Sequence, residues 1–530
     1  MIIIYQVVPR LYGNTTCVNL PYGSIRQNGC GKMNDFTTEE LQRIRDLGFT
    51  HVWYTGLLAH ATCTDYSASG IPPCHHATVK GRAGSPYAVR DYYDIDPDLA
   101  INVDERLTEF RQLVVRTHAA GLKFVMDFVP NHLAREYKSV MKPAEVEDFT
   151  DKNFYVLPGT TLGGEINWGG YVETPAKATG NDCFTPSPTR NDWYETVKLN
   201  YTDHDTWEKM LHILLYWASQ GVDAFRCDMA EMVTVDFWHW ATAEVRKQHP
   251  HVSFIAEVYN PQQYRNYLHH GGFDYLYDKV GLYDTLHRIV SGAQSAIDIT
   301  RCWQQHEDIL HHLLHFMENH DEQRIASLFF AGDARKAIPA MIVSACMSAS
   351  PLMVYAGQEL GEPGMDEEGF SGRDGRTSIF DYWSVDTLRR RMQGNLTEAE
   401  LRLQSFYQRL LRLCNESSAL REGGFYDLQY ANSSRGTLFN EHRQYVFLRK
   451  SDTQLLLVVV NFDGEDARCG VSIPQHAFDH LHLEARTKAE ACDLLSGHTS
   501  HLDFVPEAPI MLEVPAYGGV IMEIKNQTDS

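Results

Sequence analysis

The sequence predicts an α/β protein: a parallel (β/α)8 barrel, or TIM barrel, followed by a carboxyl-terminal antiparallel β-sandwich domain. Two observations carry this prediction. Up to about residue 424, short apolar runs typical of buried strands alternate with amphipathic helical stretches, which is the pattern of a parallel barrel. From about residue 425 the pattern changes to short alternating strands such as YVFLRK and LLLVVVNF, which is typical of a β-sandwich. A chain of 530 residues also exceeds what one core usually supports.

The barrel elements can be located one by one. A helix is predicted over 38–47, because Thr37 and Glu40 form a capping box and Gly48 follows its end. A second helix, from about 103 to 120, ends before Gly121, and a third is predicted over 204–219. Strand-like runs occur near residues 2–8, 50–54, 123–129, 222–227, 252–257, 273–277, 312–317 and 351–355. These eight runs complete a barrel, and residues 133–197 are too long for an ordinary loop between the third strand and the third helix.

Composition excludes some classes of function. A net charge of -22 argues against a nucleic-acid partner and favours a neutral small-molecule substrate. No apolar stretch reaches the roughly 18 residues that a membrane span requires. The amino terminus, MIIIYQVVPRLYG, has no basic first region and no small-residue cleavage site, so no signal peptide is expected. The eleven cysteines, an odd number with scattered spacing, favour free thiols. We therefore expect a cytoplasmic protein.

The segment GVDAFRCDMAEM, residues 221–232, is the most informative one about the reaction that the protein could catalyse. It places Arg226 two positions before Asp228 at the end of a strand-like run, so both side chains point the same way. An adjacent guanidinium holds a carboxylate ionised and oriented, as a nucleophile requires. Alone, this pair would more often be a structural ion pair at a strand end.

Three further strand-end segments favour a catalytic role for Arg226 and Asp228 over a structural ion pair. They are KFVMDFVPNH (123–132), SFIAEVYN (253–260) and LLHFMENHD (313–321). Each begins as an apolar run and ends in polar groups, namely Asp127, Asn131 and His132, then Glu257, then His320 and Asp321. Because the carboxyl ends of barrel strands meet at one face, these side chains are expected to form one site.

The four segments, in this order and with barrel-like spacing, resemble the signature segments of the α-amylase family, glycoside hydrolase family 13. The resemblance implies that Asp228 is the nucleophile, Glu257 the general acid/base and Asp321 the carboxylate that stabilises the transition state. It implies substrate-binding roles for Arg226, His132, His320 and Asp127, and for Tyr87 in the segment SPYAVRDYYDIDP (85–97). It also identifies 133–197 as an inserted domain B, between barrel segments 1–132 and 198–424, with 425–530 as the carboxyl-terminal domain.

The chemistry itself requires these residue types. Cleavage of a glycosidic bond develops oxocarbenium charge, so one carboxylate attacks while a protonated carboxyl delivers a proton to the leaving oxygen. We expect the two pKa values to be pushed apart, that of Glu257 upward by neighbouring negative charge and that of Asp228 downward by Arg226.

The chain departs from the family pattern at two places. Many α-amylases carry a Lys-His pair three and four residues after the nucleophile, where this chain has Glu231 and Met232. We therefore expect Glu231 to contact sugars on the acceptor side. Asn131 falls at a ligand of the family's calcium site, and Asp182 or Asp192 could supply further oxygens, yet no compact loop of alternating acids is present. No cofactor is expected to be required, and bound Ca²⁺ is left open.

The sequence thus predicts a retaining glycoside hydrolase of α-1,4-linked glucans or maltooligosaccharides. An α-glucan transglycosylase of the same family is the nearest alternative, since hydrolysis and transfer differ only in the group that meets the glycosyl-enzyme intermediate. A non-catalytic carbohydrate-binding or assembly homologue is a further alternative. Linkage preference, substrate length, pathway and oligomeric state cannot be read from the sequence.

Overall fold

The computed structural model describes residues 1–364, 372–432 and 438–525. Within them, eight parallel strands close into a barrel in which each strand neighbours the next along the chain and the last returns to the first. The (β/α)8 fold class is therefore confirmed. The barrel strands are β1 Ile3–Val7, β2 His51–Tyr54, β3 Lys123–Phe128, β4 Ala224–Cys227, β5 Ser253–Ala256, β6 Tyr275–Tyr277, β7 Leu313–Phe316 and β8 Leu352–Tyr355.

Helices surround the barrel. They are α1 Thr38–Asp46, α2 Arg106–Ala119, α3 His204–Ser219, α4 Val235–Gln248, α5 Asp284–Val290, α6 Asp298–Gln305, α7 Ile338–Cys346, α8 Asp386–Met392 and α9 Glu398–Glu416. Shorter helices lie at Pro9–Tyr12, Ile25–Asn28, Ser418–Arg421 and Gln475–Leu481, and a π-helical segment Asn266–His270 follows β5. The Thr37 hydroxyl caps α1 by accepting from the Glu40 N–H at 3.2 Å, but the Glu40 carboxylate accepts from Arg43, so only half of the predicted capping box forms. No helix in the described part of the chain combines the length and apolar character that a bilayer crossing requires.

The barrel interior is filled by side chains rather than open. Ile4, Val125, Ile255, Leu314 and Met353, from five different strands, lie in one buried cluster with Trp53 and Phe316. Alternate residues of the same strands face outward and pack under the helices. A filled interior leaves the mouth of the barrel, at the carboxyl ends of the strands, as the place for a ligand.

The segment between β3 and α3 forms a small unit beside that mouth. His132–Ala134 pairs antiparallel with Thr196–Lys198, and Val156–Leu157 pairs with Ala176–Lys177. The unit has a separate core that includes Leu162, Ile166, Trp168 and Tyr194. We refer to residues 132–198 as the insertion. The segment after β2 also carries an antiparallel pair, Leu58–His60 with Val89–Ile95, which the strand pattern did not predict.

The carboxyl-terminal domain contains eight strands in its described residues: β9 Gly424–Asp427, β10 Gln444–Lys450, β11 Leu455–Asn461, β12 Ala467–Val471, β13 Arg486–Asp493, β14 Thr499–Phe504, β15 Ile510–Val514 and β16 Gly518–Ile524. Six form an antiparallel sheet in the order β9-β10-β11-β16-β13-β14, and β12 pairs with β15 as a second layer. Alternate residues such as Val446, Leu457 and Leu512 enclose its core. The end of the predicted domain, residues 526–530, lies outside the described residues.

Candidate active site

A cavity of about 240 Å³ opens at the carboxyl ends of the barrel strands. Asp228, Glu257 and Asp321, which follow β4, β5 and β7, all line it. Asp228 and Glu257 are 6% and 3% exposed, whereas the Asp321 side chain is 44% exposed. The structure therefore brings the three predicted carboxylates to one cavity, two of them buried and one beside solvent.

Arg226 connects the two buried carboxylates. Its Nη1 atom donates to Asp228 Oδ1 at 2.7 Å, and its Nη2 atom lies 2.8 Å from Glu257 Oε2. Its Nε atom donates to the Tyr277 hydroxyl at 3.1 Å. The guanidinium is 1% exposed, so it orients the carboxylates from beneath the cavity rather than from within it.

Glu257 is held at both oxygens. The Met229 N–H donates to Oε2 at 2.8 Å, and the Tyr259 hydroxyl donates to Oε1 at 2.6 Å. Met229 directly follows the nucleophile candidate and adopts a left-handed backbone conformation with φ 42°. This turn redirects its N–H from the barrel ladder toward the carboxyl group on the neighbouring strand.

Asp228 differs from the expectation in its pKa. Burial raises the pKa of Asp228 well above its ordinary value, Arg226 opposes the rise, and the negative charge of Glu257 adds to it. The expected net lowering of the Asp228 pKa is therefore wrong, because burial outweighs the effect of Arg226.

His320, Tyr87 and Asp127 form a hydrogen-bonded chain beside this cluster. Gln6 Nε2 donates to His320 Nδ1 at 2.7 Å, so Nε2 carries the ring proton and donates to the Tyr87 oxygen at 2.6 Å. The Tyr87 hydroxyl in turn donates to Asp127 Oδ1 at 3.4 Å. Burial and the charge of Arg226 lower the pKa of His320 to about 3, which keeps the ring neutral.

The predicted role of Asp127 in direct sugar binding is not supported. Asp127 is 6% exposed, and its other oxygen accepts from the Gly56 N–H at 3.2 Å. It thus lies behind Tyr87, whose ring lines the cavity. His320 likewise uses both ring nitrogens within the protein, and its Nε2 atom lies 3.2 Å from Asp321 Oδ2 as well, so it positions both Tyr87 and Asp321.

His132 lines the cavity at the start of the insertion. Asn131 Nδ2 donates to His132 Nδ1 at 3.1 Å, so Nε2 carries the ring proton, and the ring also hydrogen-bonds the backbone of Tyr87. Burial, Lys198 and Lys80 lower the pKa of His132 to about 3. The Trp193 ring lies 5.2 Å from the imidazole and adds an aromatic wall.

The surroundings of Asn131 do not fit a calcium ion. Its Oδ1 atom accepts from Lys198 Nζ at 2.9 Å, and the same ammonium lies 2.5 Å from Asp182 Oδ1. Asp192 is engaged by Asn181 Nδ2 at 2.9 Å and by Thr189. A lysine cation therefore occupies the position between the oxygens that a calcium ion would need, and the interpretation of Asn131 as a metal ligand is not supported.

Glu231 binds the loop that follows the general acid/base candidate Glu257. Its two carboxylate oxygens accept from the backbone N–H groups of Tyr259 and Asn260, at 3.2 and 3.1 Å. It is absent from the lining of the cavity described above. The negative charge that departs from the family pattern thus holds the loop after β5, and the contact of Glu231 with acceptor sugars stays a prediction.

Several residues of the site were not predicted from sequence. Tyr259 follows Glu257 by two positions, so period-two alternation could have placed both side chains on one face. Gln6 lies on β1, where nothing in the sequence distinguishes it from a buried strand residue. Lys80 and Glu195, paired at 3.1 Å, line the cavity from the segment after β2 and from the insertion.

Comparison with known proteins agrees with this geometry. A family model described as the catalytic domain of alpha amylase matches residues 23–401. A cyclomaltodextrinase from Bacillus sp is 25% identical over 484 residues, which cover 88% of this chain and 74% of that protein. Neopullulanase 2 from Thermoactinomyces vulgaris is 21% identical over 498 residues, covering 89% and 71%. The maltogenic alpha-amylase AmyB from Thermotoga neapolitana has a similar fold, with a TM-score of 0.67 at 19% identity and 99% coverage of both chains.

Proposed function

The chain belongs to the α-amylase family, and from this premise we propose that it hydrolyses short α-1,4-linked glucose oligomers by double displacement with retention of configuration. The observation that carries the proposal is the pair Asp228 and Glu257, bridged by one buried guanidinium at the edge of the cavity. Retention requires the two carboxyl groups to lie close enough for direct attack, about 5–5.5 Å apart, whereas inversion needs a wider gap for water. One guanidinium that lies 2.7 Å from Asp228 Oδ1 and 2.8 Å from Glu257 Oε2 keeps the two groups close.

In the first step, ionised Asp228 attacks the anomeric carbon while the Glu257 carboxyl gives its proton to the glycosidic oxygen. The bond to the leaving sugar breaks, and a covalent glycosyl-enzyme forms. The Met229 N–H, the Tyr259 hydroxyl and Arg226 all face Glu257, so they stabilise the negative charge that it gains. Asp321 faces the sugar ring and stabilises its developing positive charge.

In the second step, ionised Glu257 removes a proton from water, and the resulting oxygen nucleophile attacks the anomeric carbon. Asp228 leaves as a carboxylate, and Arg226 Nη1 is positioned to stabilise it. Two inversions give a product sugar in the α configuration. A sugar in place of water would give transfer, so product analysis decides between the two reactions.

The preference for short oligomers rests on the walls of the cavity. The rings of Tyr87, Trp193 and His132 line a space of about 240 Å³. A space of this size is filled by one or two sugar units, which supports short oligomers as substrates. The relatives named cyclomaltodextrinase and neopullulanase support α-glucans as the substrate class.

We further propose that the enzyme works without a calcium ion, because Lys198 supplies the cation that joins Asn131 to Asp182. We also propose that the protein works in a reducing compartment, the cytoplasm, because its cysteines form no disulfides among the described residues. All eleven lie in the described residues as free thiols, and six of them are buried.

The mechanism is tested by two isosteric variants on maltotriose and on maltosyl fluoride. Asp228→Asn loses the charge of the nucleophile, so it should lose nearly all activity on both substrates. Glu257→Gln should regain activity on the fluoride, because fluoride leaves without protonation. Proton NMR of the first product should show the α anomer, and the melting temperatures of both variants should show that they fold.

Release of the β anomer would refute retention. Equal rescue of both variants by the fluoride would refute the assignment of nucleophile and acid. Efficient cleavage of pullulan or long starch chains in preference to maltotriose would contradict the proposed substrate class.

A further inference from the structure

Glu231 joins the loop after β4 to the loop after β5. Its carboxylate accepts two successive backbone N–H groups, from Tyr259 at 3.2 Å and Asn260 at 3.1 Å. Its backbone carbonyl accepts from the Tyr267 hydroxyl at 3.2 Å, and that hydroxyl lies 3.0 Å from the Val233 carbonyl as well. The residue three positions after the nucleophile therefore determines where the chain runs just beyond the acid/base group.

The loop that Glu231 holds carries Tyr259. The Tyr259 side chain lines the cavity, and its hydroxyl donates to Glu257 Oε1 at 2.6 Å. Burial and the charge of Glu257 raise the pKa of Tyr259 well above its ordinary value, so the phenol keeps its proton and remains a donor. Because Met229 fixes the other oxygen, Tyr259 decides how far the Glu257 carboxyl can rotate.

We propose that Glu231 is a positioning residue of the glycosidic reaction, which acts through Tyr259 to aim the Glu257 carboxyl at the leaving oxygen. The proposal rests on the proposed function above and deepens it. When the proton passes from Glu257 to the glycosidic oxygen, the carbon–oxygen bond breaks and the Asp228 ester forms. Tyr259 keeps its own proton throughout, and its hydrogen bond then stabilises the new Glu257 carboxylate.

This role predicts a specific kinetic pattern. A residue that aims the acid affects the step in which a proton is delivered, and it has little effect on substrate binding. It also has little effect on substrates whose leaving group needs no proton. A residue that contacts acceptor sugars would instead change KM and the lengths of the products.

The experiment compares Glu231→Gln, Tyr259→Phe and the double variant on maltotriose and maltosyl fluoride. Each single change should lower kcat on maltotriose by about ten-fold, a part of the 10² to 10⁴ that general acids contribute. KM and the rate on the fluoride should stay within about two-fold of the native values. Because both residues act through one contact, the double variant should be no slower than about the slower single variant.

Asp236→Asn is the matched control. Asp236 lies five positions further along the same segment, its side chain is 71% exposed and its contact is His270. The kcat and KM of Asp236→Asn should equal those of the native enzyme. Should Glu231→Gln fail to fold, Glu231→Asp, which keeps the charge on a side chain one methylene shorter, replaces it.

Three results would overturn the proposal: unchanged kcat in Glu231→Gln, an equal loss on the fluoride, or single effects that multiply in the double variant. A native enzyme that yields the β anomer, or whose Glu257→Gln variant is not rescued by the fluoride, would instead refute the proposed function. The two failures are therefore distinguishable.

Discussion

Replacing Lys198 by methionine tests whether a lysine cation, rather than a metal ion, holds the insertion to the barrel. Methionine fills much of the lysine volume but carries no donor. The change leaves Asn131 Oδ1 and Asp182 Oδ1 without the ammonium that lies 2.9 and 2.5 Å from them. Lys198 is 8% exposed, so water cannot readily take the place of the ammonium.

Loss of the ammonium destabilises the fold by different amounts at Asn131 and at Asp182. Asn131 is 1% exposed, and leaving a buried acceptor unsatisfied costs about 1–3 kcal/mol. The Asp182 side chain is 47% exposed, so solvent screening limits its loss to less than about 1 kcal/mol. Together the two losses amount to about 1–4 kcal/mol in the free energy of unfolding. With an unfolding entropy of roughly 2.1 cal/mol/K per residue over 530 residues, this should lower Tm by roughly 1–4 °C.

The assay is thermal unfolding with and without a calcium chelator, on the native protein and on Lys198→Met. The native Tm and activity should change little on chelation, because an ion stabilises only in proportion to its binding to the folded state. Lys152→Met is the matched control, since Lys152 is a lysine of the insertion whose side chain is 50% exposed. A native Tm that falls by many degrees on chelation and returns with calcium would refute the reasoning, as would an unchanged Tm in Lys198→Met.

Two further predictions concern activity. Asp228 must be ionised to attack, and burial raises its pKa, so activity is lost as the pH falls through a value above that of an ordinary aspartate. The acid limb of kcat/KM should therefore have its midpoint above about pH 4, and a midpoint below that value would contradict the raised pKa. Gly180→Ala would place a Cβ atom 2.8 Å from both His132 Cγ and Thr196 Oγ1, so the imidazole must shift. We expect kcat/KM to fall by about ten-fold or more, since small misplacements of binding groups are costly. Gly163→Ala is the control, because its added Cβ would lie 3.9 Å from its nearest neighbour, the Thr161 carbonyl oxygen. The kcat/KM of this variant should match that of the native enzyme.

Prediction from the sequence succeeded where one local pattern determines the outcome. All eight barrel strands lie within the predicted runs, because buried parallel strands are short apolar runs bounded by turns. The helix predicted from about residue 103 begins at Arg106, because Asn102 caps a 3₁₀ turn at Val103–Glu105 first. The pair at Leu58–His60 and Val89–Ile95 was missed, since its partners are separated by a long irregular segment.

In the candidate site, too, residues set by a local pattern were predicted and contacts between distant segments were missed. Asp228 and Glu257 could be placed because each ends a strand at the barrel mouth. Asp127 and Glu231 also lie near strand ends, yet their partners are Gly56, Tyr259 and Asn260, and no spacing within one segment reveals such contacts. Likewise, the competition between Asn131, Lys198 and a metal ion depends on residues that are 67 positions apart in the chain.

Closure of the barrel has a consequence for synthesis of the protein. β1 pairs with β8 in a register that puts Ile3 opposite Leu352, and Gln6 on β1 hydrogen-bonds His320. At ~5–20 residues per second, the first strand emerges from the ribosome roughly 20–70 s before the strand that completes its pairing. During that interval the edge of β1 is open to other partners. The hydrogen-bonded chain from Gln6 to Tyr87 also cannot form until His320 has emerged, so a nascent chain carries no complete active site until most of the barrel has been made.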